Sequence, residues 1–189
     1  MDEDQLKNVF KQEFKNFGDF KIYLFIAPMQ EFSSTNMYLV KYLCNELKKT
    51  GLIVNVNEPS QLFHKRLKKA NVDTNLLNFI DIICIKDGIE PNMENCVFLE
   101  KPDSLAALSD HLSEHLAKRK TNYLFIDSLS TLLLYNQILE VERFTHYLVN
   151  KIKIFELNGV FLTINDKHFE QLAPTITQFV DSLVDLTKL

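Results

Sequence analysis

The sequence predicts a single α/β domain in three layers, with helices on both sides of a mainly parallel sheet. Three observations lead there. Short apolar runs alternate with amphipathic helical segments along nearly the whole chain, the order expected of βαβ units. Those runs are continuous rather than alternating, as in strands covered on both faces. At 189 residues, 46% hydrophobic and 24% charged, the chain is long enough for one good core. No linker, repeat or low-complexity tract divides it, so residues 1–189 read as one domain, a leading helix over 1–18 and an α/β core over 19–189.

The elements follow in order. Asp4 to Phe17 places Leu6, Phe10, Phe14 and Phe17 on one helical face, and Gly18 ends it. Ile22 to Ala27 is the first central strand. A polar loop, Pro28 to Ser34, leads to a helix over Met37–Leu47, for which Gly51 is the expected left-handed stop. Leu52 to Val56 is the second strand, and Ser60 is the expected cap of a helix through Leu67, with His64, Lys65, Arg66, Lys68 and Lys69 toward solvent.

Phe79 to Ile85 is a third apolar run. Lys86 to Asn95, with Gly88 and Pro91, reads as a loop, Cys96 to Leu99 as a short strand, and Pro102-Asp103-Ser104 as the start of a helix that turns Leu105, Leu108, Leu112 and Leu116 inward. Tyr123 to Asp127 is a buried strand ending in a carboxylate. A long helix over Leu139–Leu157, stopped by Asn158-Gly159, precedes a strand over Val160–Ile164, and Phe179 to Leu186 is the last apolar run.

Composition excludes several functions. A net charge of −4 offers no broad positive field for a polyanion, so no nucleic-acid partner is expected. Cys44, Cys84 and Cys96 are odd in number and widely spaced, which reads as reduced core thiols rather than zinc or disulfide chemistry. The opening Met-Asp-Glu-Asp-Gln is acidic where a signal peptide is basic, and no apolar run reaches the roughly 20 residues that span a bilayer. The expectation is a cytoplasmic protein without membrane insertion. His111 and His115 are four apart on a helix but lack a third ligand, and no Gly-x-Ser-x-Gly elbow marks a hydrolase.

In open parallel sheets ligands bind beyond the carboxyl ends of the strands, and four such junctions resemble one family. Val56-Asn57-Glu58-Pro59-Ser60 is similar to a strand ending in a Glu pair followed by Pro and a helix. Leu124-Phe125-Ile126-Asp127-Ser128 resembles a Walker B strand. Gly159 to Asn165 resembles the strand that lies between the phosphate loop and Walker B, and Phe179 to Leu186 the closing strand in which Asp precedes an apolar run. Together they resemble the RecA/KaiC-type P-loop ATPases, close to the archaeal KaiC/GvpD-like group, over about Lys21 to Leu186.

The resemblance implies a RecA-like αβα fold, with Asp127 as candidate magnesium carboxylate and Glu58 as candidate general base. Where the family carries Gly-x-x-x-x-Gly-Lys-Ser/Thr, this chain has Ala27-Pro28-Met29-Gln30-Glu31-Phe32-Ser33-Ser34-Thr35-Asn36, with neither glycine nor lysine. Pro28 removes a donor, and Glu31 stands where the triphosphate would lie. Two such charges about 4 Å apart repel by roughly 4 kcal/mol at an effective dielectric near 20. Ser33, Ser34 and Thr35 remain as helix caps and as remnants of the phosphate loop. Asn57 is an amide where the family has the first Glu, and the chain ends at Leu189 before the basic residues that reach a neighbour's nucleotide.

The expectation is a non-catalytic module, regulatory or protein-binding, that pairs with a protein partner or forms a homo-oligomer and needs no cofactor. The alternative is a divergent ATPase that binds Mg-ATP through Asp127 and Glu58, with Ser33 and Ser34 in place of the loop Lys and Thr. A third reading is an effector sensor using the crevice and the Lys86–Asn95 loop. Leu132-Leu133-Leu134-Tyr135 is a candidate apolar contact surface.

Overall fold

The computed structural model describes residues 3–83, 92–99, 104–118 and 120–189. Cys84, Ile85, the Lys86–Pro91 part of the expected loop, and Pro102-Asp103 lie outside them. Among the described residues the strands are β1 (Ile22–Ala27), β2 (Gly51–Asn55), β3 (Leu77–Asp81), β4 (Cys96–Phe98), β5 (Tyr123–Asp127), β6 (Asn158–Ile164) and β7 (Ser182–Asp185). They form one sheet in the order β4-β3-β2-β5-β6-β1-β7, and each neighbouring pair is parallel. β6 therefore lies between β1 and β5, as the resemblance implies.

The helices are α1 (Glu3–Glu13), α2 (Phe32–Lys41), α3 (Ser60–Lys69), α4 (Leu105–Lys118), α5 (Ile138–Ile154) and α6 (Lys167–Ile176). Alternation along each strand divides the core. Leu24, Val54, Ile80, Leu124 and Phe161 face the layer of α4, α5 and α6, and Phe25, Ile53, Phe79, Phe125 and Leu162 face α1, α2 and α3. Every residue of β1, β2 and β5 is buried, which is why those runs carry no polar alternation. Phe10, Phe14, Tyr23, Phe25 and Tyr42 form an aromatic cluster that fastens α1 to the sheet.

Two glycines act differently from expectation. Gly51 and Gly159 are strand residues, and the left-handed turns fall on Lys48 (φ 53°) and Glu156 (φ 53°). Gly51 lies opposite Tyr123 in the ladder, where a Cβ would meet the ring Cζ at 2.1 Å. Space, not backbone freedom, requires glycine there. Gly18 does take a positive φ, at 124°. α6, which carries Pro174 inside it, has no counterpart among the elements expected from the sequence.

Candidate functional site

The carboxyl ends of β3, β2 and β5 bring three polar residues into one row, because Asp81, Asn55 and Asp127 are ladder partners. All three are fully buried, on the face covered by α2 and α3. A buried carboxylate needs donors to offset its lost hydration. Asp127 accepts the Val56 N–H at Oδ1 (2.9 Å) and the Asn36 amide at Oδ2 (2.8 Å). Asp81 accepts the backbone N–H of Ser60 and that of Ile83 (2.8 Å), while the Asn55 amide donates to Ser60 Oγ (2.9 Å).

The row therefore holds the β2–α3 turn from beneath. Asn57 adds a clasp from the side: its amide donates to the Asp127 carbonyl (2.6 Å) and its Oδ1 accepts from Thr131 (2.7 Å). Ser60 is the first residue of α3 and not its side-chain cap. Asp81, reaching across from the next strand, accepts the helix's leading N–H, the role expected of Ser60 from the sequence.

Glu58 projects from the same turn and is not free. Arg66, two turns along α3, donates Nη1 to Glu58 Oε1 at 2.6 Å and Nη2 to the Ser33 carbonyl at 3.0 Å. One guanidinium thus joins the turn after β2 to the beginning of α2. The segment after β1 is folded rather than looped: Met29–Glu31 is a 3₁₀ turn running into α2. Ser33, Ser34 and Thr35 lie inside the first turns of α2, and the capping position belongs to Glu31, which makes no side-chain cap. Ser34 Oγ donates back to the Glu31 carbonyl (2.9 Å). Thr35 is fully buried.

Burial pushes the Asp127 carboxyl up to about 7 from an ordinary 3.8, against the lowering effect of the Val56 and Asn36 hydrogen bonds and with the charge of Glu58 adding to the rise. Near neutrality it is therefore divided between acid and carboxylate. Beyond it, Ser128, Ser130 and Thr163 form a chain of buried hydroxyls with spacings of 2.8 and 2.9 Å. Asp181 accepts the Ile22 N–H at 2.8 Å, so the Asp before the closing strand ties β7 to the start of β1.

The other sequence candidates lie apart. His111 and His115 are on α4, and among the described residues no group of three His, Cys, Asp or Glu could hold a metal. Cys44 is buried against Tyr123, and burial pushes its thiol up to about 12. Of the apolar run after β5, Leu132 is buried while Leu134 and Tyr135 are exposed.

Sequence reasoning misses Asn36, Arg66 and Asp81 as site residues. A signal exists for Asp81: the triplet Phe-Ile-Asp occurs at 79–81 and again at 125–127, each time closing a strand. Nothing local marks Asn36, whose role depends on α2 lying over β5.

This architecture defines the class: a RecA/KaiC-like α/β fold. A KaiC-like protein from the hyperthermophilic archaeon Pyrococcus horikoshii superposes with a TM-score of 0.62 at 9% identity, over 88% of this chain and 72% of that one. An uncharacterised protein from the same organism, solved in complex with an unknown peptide, superposes with a TM-score of 0.65 at 18% identity, over 94% of this chain and 82% of that one. No family model and no curated protein matches the sequence. Among the described residues no helix is long and apolar enough to cross a membrane.

Proposed function

We propose that the chain is a non-catalytic RecA/KaiC-like module, a protein-binding or regulatory subunit whose phosphate loop has degenerated. The observation that carries this reading is the hydrogen bond from the Asn36 amide to Asp127. In P-loop enzymes a loop Ser or Thr and the Walker B Asp hold magnesium between them. Here an amide donor lies directly on the carboxylate at 2.8 Å, and the second oxygen is taken by Val56.

The other parts of the crevice agree. The 3₁₀ turn over Met29–Glu31 stands in place of a glycine-rich wrap, Pro28 offers no N–H, and Glu31 adds negative charge. The cation brought to the segment, Arg66, is held by Glu58 and the Ser33 carbonyl. These residues do not fit a magnesium-bound triphosphate. An ATPase working through Asp127 and Glu58 would need both carboxylates released from their present partners.

Protein binding draws support from the neighbour solved with a peptide. The reading as a whole is tested by ATP turnover of the purified chain. Release of phosphate at the background rate, unchanged in Asp127→Ala, is the expected result. Turnover abolished by Asp127→Ala overturns it.

A further inference from the structure

Two adjoining clefts follow the carboxyl-terminal half of α3, far along the helix from Glu58. The larger, about 680 Å³, lies between α3 and residues 92–95. The smaller, about 480 Å³, lies between the turns at 45–48 and 71–75. Lys68, Thr74 and Asn75 border both, so the two share a wall, and the surface they span together suits a segment of chain better than a single small anion.

Lys65 and Lys68 border the larger cleft, and Lys48 and Lys68 the smaller. Among the described residues none of the three is paired with a carboxylate, although Lys7, Lys21, Lys41, Arg66, Lys118 and Lys188 all are. Two carboxylates share the lining. Asp73 borders only the smaller cleft and spends Oδ1 on the Asn75 N–H; Glu94 borders only the larger. The positive field is felt inside: Lys68 adds to burial in lowering the His64 pKa. In a chain of net charge −4, this is a local reversal of sign.

We propose that this trough binds an extended acidic segment of a protein partner, its carboxylates meeting Lys48, Lys65 and Lys68 and its main chain meeting the amides and hydroxyl between them. The proposal names the partner chemistry for the protein-binding reading and rests on that reading, while being independent of what the crevice above β5 can hold. A nucleic-acid strand suits the trough less well. Single-stranded sites stack bases on aromatic rings, and His64, whose ring already packs edge-on against Phe79 at 5.8 Å, is the one ring in the lining among the described residues.

The test uses fluorescein-labelled decaglutamate and the full chain, read by anisotropy at low salt, with the double variant Lys65→Glu/Lys68→Glu and the control Lys118→Glu, which alters a paired lysine on α4. The expected results are saturable binding, a loss of at least about tenfold in the double variant, none in the control, and weakening as ionic strength shortens the screening length from about 14 to 7 Å. Circular dichroism shows whether the variants keep the fold; all three substituted lysines are exposed, and unaltered melting is expected. Absence of binding, or binding unchanged in the double variant, overturns the proposal. So does tighter binding of labelled decathymidylate that depends on Lys65 and Lys68, which would assign the trough to a phosphate polymer. Nucleotide binding in the crevice would leave all of these outcomes untouched and would count only against the non-catalytic reading.

Discussion

Replacing Asp127 by asparagine should stabilise the protein relative to wild type by an amount that grows as pH rises from mild acid to the alkaline range. The native carboxyl titrates at about 7 and the unfolded one near 3.8. A folded pKa above the unfolded value means the native state holds the proton more tightly. The associated stability is fully present below about 4 and is lost as pH rises through 7. Between pH 5 and pH 8 the loss covers about two pH units of unequal proton binding, or roughly 3 kcal/mol at about 1.4 kcal/mol per unit.

The amide introduced by Asp127→Asn would keep the acceptor for Val56. Its new N–H donors would face Asn36, whose buried Oδ1 makes no hydrogen bond among the described residues; turning over the Asn36 amide restores a donor–acceptor pair. Urea unfolding of both proteins at pH 5 and pH 8 measures the effect, since every other titrating group is common to the two and cancels in the difference. The variant should gain roughly 3 kcal/mol over wild type on going from pH 5 to pH 8. A difference independent of pH would mean that Asp127 does not hold its proton more tightly in the folded state.

Two further predictions concern the frame around the site. Gly51→Ala should cost about 3 kcal/mol or more, because its Cβ meets the rigid Tyr123 ring at 2.1 Å. Gly159→Ala should cost less, about 1 kcal/mol, because the nearest atom is the movable Cδ1 of Ile152 at 2.7 Å; urea midpoints rank the two, and a reversed order would contradict the packing described. Asp81→Ala strands the buried N–H groups of Ser60 and Ile83 and should cost roughly 2–5 kcal/mol, with Asp81→Asn costing less because one acceptor survives.

Strands were the most legible part of the sequence. Tyr123–Asp127 matches β5 residue for residue, because so short a continuous apolar run is too brief for a buried helix. Helix ends were less legible. Gly51 and Gly159 look like left-handed stops, yet glycine serves equally where a neighbour leaves no room for Cβ, and only the Tyr123 ring and Ile152 decide between the two uses. The turns themselves fall on Lys48 and Glu156, residue types that carry no turn signal. α6 carries Pro174 inside it and continues to Ile176, although a proline in a helix interior ordinarily argues against one.

The site was half legible for a related reason. Asp127 and Glu58 could be placed at strand ends from the apolar runs before them. Their partners could not, since Asn36 lies 91 residues from Asp127 and meets it only through helix packing, while Arg66 reaches back to Glu58 from two turns along α3. Ser33, Ser34 and Thr35 looked like caps because three hydroxyls precede an amphipathic stretch. The extra 3₁₀ turn starts the helical path earlier and draws them inside it.

That the crevice above β5 holds no nucleoside triphosphate is checked by calorimetric titration with ATP, ADP and GTP, with and without magnesium. No saturable heat at millimolar nucleotide is predicted under any of these conditions. A magnesium-dependent isotherm that disappears in Asp127→Ala would contradict it.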